Sequence, residues 1–309
     1  SPNVQNNSDD YFHAISLQEI YTFIITGNGN TCPVKTSTGN NNPVVNGGGD
    51  YIIPKSTPFI LTATGSDADG DTLTYCWEQM DPAFATMPPV STSATGPLFR
   101  SYKGTTSPSR YFPRLQDLNA NINSTWEELP GVARSMKFRV TVRDNNFNAS
   151  CTDEDDVVVT VNGTAGPFVV TAPNTNVTWI VGTPQTVTWN VAGTDIAPVN
   201  CTSVRLLLSI DGGITYPIVL AENVPNNGTY NIVTPNNIST LCRVKVESVG
   251  NIFFDISNQN FKIELPPSPT FLLSTTTSSQ TACAGDSVEY TINALSLAGF
   301  DSPVAISVT

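Results

Sequence analysis

The sequence predicts a mainly β protein in which tandem β-sandwiches follow one short N-terminal helix. Two observations carry this. Asp, Glu, Lys and Arg together make up only 13% of the chain, about half the usual share. Thr, Asn, Ser, Gly and Pro stand in their place, a mixture in which Thr suits a pleated surface while Gly, Pro and Asn set turns. From Asp50 onward, apolar residues also recur with a period of two in short runs bounded by turn residues. At 309 residues the chain is long enough for roughly two or three domains.

The first stretch, 1–30, is the one helical piece. Ser16-Leu17-Gln18-Glu19 has the spacing of a capping box, in which side chains satisfy the orphan amides of a helix start. Ile20, Phe23 and Ile24 follow at helical spacing, and Gly27 is a natural stop. The Gly- and Asn-rich stretch 31–49 reads as a linker. A first sandwich is expected over 50–162, with strands at Phe59–Ala63, Leu73–Trp77, Met136–Val142 and Val157–Val161. Its segment 81–130 is long, Pro-rich and irregular. Residues 163–167 form a short linker.

A second sandwich is expected over 168–265. Its strands fall at Val177–Ile180, Gln185–Asn190, Val204–Ser209, Pro217–Leu220, Thr229–Val233, Arg243–Ser248 and Phe261–Glu264. So many short strands within about a hundred residues match an immunoglobulin-like sandwich. Pro266-Pro267-Ser268-Pro269 is a stiff linker. A partial third module, 270–309, has strands expected at Ser287–Asn293 and Val304–Val308. Some 40 residues are too few to bury a core alone.

A net charge of −12 without a Lys/Arg cluster argues against nucleic-acid binding. No apolar run approaches the roughly 20 residues of a membrane span. Cys32, Cys76, Cys151, Cys201, Cys242 and Cys283 form no CxxC pair, and His13 is the one histidine, so a Cys/His zinc site cannot be assembled. Spread among strands, the cysteines read as structural disulfides of an oxidising compartment. Cys201–Cys242 and Cys76–Cys151 are the expected pairs, each within one sandwich. A secreted or cell-surface location follows.

Among possible sites, Asp67-Ala68-Asp69-Gly70-Asp71 gathers three carboxylates around a glycine. Hard cations want several oxygen ligands, so Asp67, Asp69 and Asp71, with Asp144 as a fourth, are candidate calcium ligands. The alternative is a hairpin whose Asp side chains bond their own backbone. The acidic run Cys151-Thr152-Asp153-Glu154-Asp155-Asp156 reads as a solvated turn before the Val157 strand. Ser209-Ile210-Asp211-Gly212-Gly213-Ile214-Thr215-Tyr216 has the Asp-box pattern and reads as a hairpin staple. No Gly-x-Ser-x-Gly nucleophile motif is present, and no catalytic residue is assigned.

Several stretches resemble known families. Asn3-Val4-Gln5, Ser8-Asp9-Asp10-Tyr11-Phe12-His13 and Ser16-Leu17-Gln18-Glu19-Ile20 resemble the last catalytic-domain helix of bacterial reprolysin-like zinc metallopeptidases. Asp67 to Tyr75, Trp77-Glu78-Gln79 and Phe138 to Asn145 resemble the cadherin-like or polycystic-kidney-type module that follows it. Val187 to Thr194, Leu208 to Gly213 and Phe253 to Ser257 are similar to the Ig-like domain of yeast glucan-assembly proteins. The resemblance implies that 1–30 is a remnant of an upstream catalytic domain, and that Cys32 and Cys283 have mates outside 1–309. The His-Glu-x-x-His zinc motif of that family is missing here, so its zinc ligands and general base have no counterpart. The implied role is a non-catalytic binding or spacer region of a secreted metallopeptidase. Its implied partners are the catalytic domain and an extracellular protein or polysaccharide. The other reading is a free-standing adhesin or glycan-binding protein.

Overall fold

The computed structural model describes residues 9–31, 33–83, 86–275 and 279–307. Alternation builds the first sandwich. In β7 (Arg134–Arg143) the side chains of Met136, Phe138, Val140 and Val142 are buried, and Val157, Val159 and Val161 answer from β8 (Thr152–Asn162). These strands pair along their whole length. With β2 (Tyr51–Pro54) and β5 (Thr74–Gln79) they form a sheet of order β2-β8-β7-β5, in which β2 lies parallel to β8. The opposing layer holds β3 (Phe59–Thr62) with β6 (Ser109–Phe112), and β1 (Val44–Asn46) with β4 (Thr64–Ser66). Between the layers, the ring of Phe59 stacks on Phe112 at 4.9 Å and meets Phe138 edge-on at 5.7 Å.

The second sandwich repeats the plan. β9 (Val169–Ala172), β11 (Pro184–Asn190) and β14 (Thr229–Val233) form one sheet. The other runs β10-β17-β15-β12-β13, from β10 (Thr178–Ile180), β12 (Ser203–Ser209), β13 (Ile218–Pro225), β15 (Ser239–Ser248) and β17 (Phe261–Glu264), with β16 (Phe254–Ile256) on β15. β10 lies parallel to β17, as β2 does to β8. In both sandwiches strands of A, B and E type face strands of C, F and G type, the immunoglobulin-like arrangement.

The stretch 163–167 is not a free linker between the two. A Cβ on Gly166 would come within 2.4 Å of the Lys55 carbonyl oxygen, and φ there is +98°, so only glycine fits. Backbone hydrogen bonds cross the junction from Ile60 to Ile252 and from Phe254 to Pro58, and the rings of Phe168 and Phe253 pack at 5.2 Å. The buried cores run together from Val45 to Leu297.

Further expectations need correction. The third module is a hairpin of β18 (Thr270–Thr275) and β19 (Ile292–Leu297). Strand structure is absent from 287–291 and from 304–307, and Val308 lies outside the described residues. Too little partner surface surrounds those alternating runs to pair them. The acidic run lies within β8 rather than in a turn. Its alternation sends Asp153 and Asp155 to the backbone N–H groups of Val45 and Gly47, while Glu154 and Asp156 pair with Arg139. β1 thereby lies inside the expected linker 31–49, held by carboxylates as well as by β4.

The helix starts earlier and is capped from afar. α1 (Ala14–Tyr21) continues into a π turn over Thr22–Thr26, and Ser16 lies inside its first turn, not at its cap. Glu78 of β5 supplies the cap: its Oε2 accepts the Ala14 N–H at 2.7 Å, and its Oε1 lies 2.6 Å from His13 Nδ1. A buried carboxylate at a helix start satisfies an orphan amide and meets the positive end of the helix dipole.

Candidate metal centre

The turn between β4 and β5 is where the sequence places three carboxylates, and the fold brings them together. One oxygen each from Asp67, Asp69 and Asp71 lies within 4.8 Å of the others. Gly70, at φ +80°, lets the chain turn back. Asp67 Oδ1 accepts the backbone N–H groups of Asp69 at 2.8 Å and Asp71 at 3.1 Å, which folds the loop around that side chain. Its other oxygen, Oδ2, is buried and accepts no hydrogen bond. A buried polar atom left unpaired costs about 1–3 kcal/mol, so this oxygen is the strongest sign that the turn is shaped for something besides itself.

An asparagine cluster surrounds the acids. Asp69 accepts from the Asn41 backbone N–H at 2.7 Å and from Asn41 Nδ2 at 2.9 Å. Asn146 Nδ2 donates to Asp71 Oδ2 at 2.9 Å and to Asn40 Oδ1 at 3.1 Å. These amides were missed in the sequence, although the runs Asn40-Asn41-Asn42 and Asn145-Asn146 stand out there. Their carbonyl oxygens are the kind of neutral ligand that calcium takes beside carboxylates.

Asp144 does not join the three. It is 1% exposed, and its oxygens are taken. Oδ1 accepts from Cys151 N, Ser150 Oγ and Asn146 N, and Oδ2 accepts from Asn40 Nδ2 at 2.6 Å. Burial pushes its carboxyl up, but the hydrogen bonds from Asn40, Cys151, Asn146 and Ser150 outweigh that and hold it below the usual range. It staples the loop 144–151 to the asparagine cluster, one shell behind the acids.

The expected disulfides are not formed. Cys76, Cys151, Cys201, Cys242 and Cys283 are free, and Cys32 lies outside the described residues. Strand register explains both misses. Cys201 and Cys242 each precede a strand, but β12 and β15 are antiparallel, with Val204 opposite Ser248 and Ser209 opposite Arg243. The two cysteines therefore sit at opposite ends of the ladder, roughly 25–30 Å apart at strand rise. Cys76 is opposite Thr141, which is opposite Glu154 two strands over, and Cys151 lies three residues further on. That is roughly 14 Å, beyond the ~7 Å reach of a bridge. Cys76 Sγ instead donates to the Tyr102 carbonyl at 3.2 Å and Cys242 Sγ to that of Ser239 at 3.5 Å; burial pushes each thiol up to about 11.

The Asp box is a closed staple. Asp211 accepts from Ser209 Oγ, from the Thr215 N–H and from Thr215 Oγ1. Burial raises its carboxyl, but these bonds outweigh it and bring it to about 2. Beneath the turn, burial raises the Tyr216 hydroxyl strongly.

No family model matches the chain, and no curated protein matches it. Among solved structures, a chimeric titin Z1Z2 carrying an exogenous decorin peptide is 8% identical with a TM-score of 0.25, covering 74% of this chain and 99% of that one. The N-terminal four Ig domains of Dscam1 isoform 4.44 are 10% identical with a TM-score of 0.23, covering 82% of this chain and 60% of that one. At such scores the sandwich assignment rests on strand order within the chain itself.

Proposed function

We propose that this chain is a non-catalytic binding and spacer region of a secreted or cell-surface metallopeptidase, holding the enzyme at a matrix or substrate. The observation that carries the reading is the orientation of the N-terminal helix. Its polar contacts face the first sandwich: Glu78 at the cap, the Arg143 guanidinium on the Phe12 carbonyl at 2.9 Å, and Arg139 Nη1 on Gln18 Oε1 at 3.3 Å. Its apolar side chains face away, with Ile15, Ile20, Phe23 and Ile24 exposed by 52, 42, 59 and 46%. A helix glued down by its polar side offers an apolar stripe to a neighbour, each side chain of which gains about 1.5–3 kcal/mol on full burial. An upstream catalytic domain is the proposed occupant. The fused core of the two sandwiches supports a spacer role, since a shared core resists bending. Location outside the cell is proposed from the family resemblance, the free cysteines giving it no support.

Hydrogen exchange over 14–26 tests this, comparing the chain alone with the full product of its gene. Slower exchange in the full product is expected; equal rates would count against a seated domain.

The Asp67/Asp69/Asp71 turn is proposed as a calcium site, supported by the orphan Asp67 oxygen. Calcium bound to the native state alone should raise the melting temperature by mass action. Coincident melting curves in calcium and in chelator would end that proposal.

A further inference from the structure

We propose that the first sandwich carries a second binding site, a cavity beside β5 and β6 that takes a carboxylated sugar ring such as a terminal uronic acid. The cavity has a volume of about 240 Å³, just under the range of drug-sized pockets and suited to a single ring. Its charge runs against the rest of the molecule. The chain has 26 acidic residues and 14 cations, yet Lys103, Arg110 and Arg114 all line this cavity, and among the described residues no Asp or Glu does.

The cations are held ready for an anion. Arg110 donates to the Trp77 carbonyl and to Glu127 behind the wall, which fixes its guanidinium, while its Nε is buried without a partner. Guanidiniums of Arg100, Arg110 and Arg114 crowd the Tyr102 ring at 4.8, 5.0 and 4.9 Å. Arg114 is held by Asp117, and Lys103 by Asp10. Arg110 uses three N–H groups on the Trp77 and Arg100 carbonyls and on Glu127, Arg114 two on Asp117, and Lys103 donates to Asp10. A guanidinium has five N–H donors and an ammonium three, so each cation keeps at least one donor for a ligand.

The rest of the lining selects a ring with hydroxyls over a bare anion. Tyr75, Trp77, Tyr102 and Tyr111 supply aromatic surface for the C–H faces of a sugar. Thr105, Ser107 and Ser109 bring hydroxyls to the same rim, each with further hydrogen-bonding capacity. A plain carboxylate would leave those groups idle, and a neutral sugar would leave the cations unanswered. The site is independent of whatever covers the helix.

Ligand-observed NMR and tryptophan fluorescence with glucuronate, glucose and acetate test this, each titrated up to about 50 mM to cover millimolar affinities. Saturable glucuronate binding is expected, at least tenfold tighter than glucose or acetate. The variant Lys103→Gln should lose at least tenfold of it with an unchanged melting curve, because this side chain is 64% exposed and its partner Asp10 is exposed too, whereas Arg114 is kept because it pairs with the buried Asp117. Arg110 stays intact, since its fixed contacts serve the fold. Glucose binding as well as glucuronate would overturn the role of the cations, and acetate binding as well would overturn ring recognition. Saturation absent altogether, or glucuronate binding undiminished in the variant, would overturn the site. None of these outcomes touches hydrogen exchange in the helix, so this proposal and the docking one fail separately.

Discussion

The two sandwiches share a strand plan, and each carries an acidic turn around glycine, but the turns end differently. In the second sandwich every oxygen of Asp211 is used within its own hairpin, by Ser209 and Thr215. In the first, Asp67 closes its loop with one oxygen and leaves the other buried and unpaired, beside two more carboxylates. A carboxylate satisfied on all sides is a staple. One with an orphan oxygen is the candidate for a ligand. The two turns thus divide by one unpaired carboxylate oxygen, which is a tertiary property.

The largest effect should come in the core of the first sandwich. Phe59→Ala removes a ring packed on Phe99, Phe112 and Phe138, and should cost about 3–5 kcal/mol. Because the cores are continuous, calorimetry should still show one transition, shifted down. Two separated transitions would mean that the turns belong to independent units and must be compared separately.

A second effect sharpens the contrast through pH. Burial pushes the Asp255 carboxyl of β16 up to about 7, although the Val170 and Ile256 N–H groups pull it down. Its folded value lies above the ordinary 3.8, so the native state holds this proton more tightly than the unfolded chain. Its contribution is present in full below about pH 4 and is lost as pH rises toward 7, by about 2–4 kcal/mol. Asp211 runs the other way: its folded value is depressed, so its stabilisation is present above pH 4 and fades as pH falls toward 2. Denaturation from pH 4 to 8 should show stability falling in the wild type and nearly flat in Asp255→Asn.

Smaller effects separate the turns themselves. Asp211→Ala should cost about 1–2 kcal/mol, the worth of one or two net hydrogen bonds, equally with calcium or chelator. Asp69→Ala should cost less than about 1 kcal/mol in chelator, since exposed changes are usually small, and should abolish any rise in melting temperature on adding calcium. A calcium-dependent loss in Asp211→Ala, or a preserved calcium response in Asp69→Ala, would dissolve the distinction between staple and site.

Local patterns were readable in the residues because their physics is local. Alternation in Met136 to Val142 and Val157 to Val161 places one face in a core wherever the strands pair, and β7 and β8 follow it. The Ser209 to Tyr216 hairpin closes on itself within eight residues, so its hydrogen bonds needed no distant partner. The acid turn was likewise legible as three carboxylates around Gly70. What surrounds it was not: Asn41 lies 28 residues before Asp69, Asn146 lies 75 residues after Asp71, and Asn40 lies 104 residues before Asp144.

Pairing and orientation belonged to the tertiary structure. Which cysteines meet depends on strand register, and antiparallel pairing sends Cys201 and Cys242 to opposite ends of one ladder. The helix cap comes from Glu78, 64 residues away from Ala14, so the local Ser16–Glu19 signal lost to a buried carboxylate that could also hold His13. The acids 153–156 became strand because β7 offered a full ladder and Arg139. Sequence spacing fixes which groups share a face along one element. Contacts between elements are fixed only when the sheets close, because only then do burial and register decide which polar group finds a partner and which, like Asp67 Oδ2, is left without one.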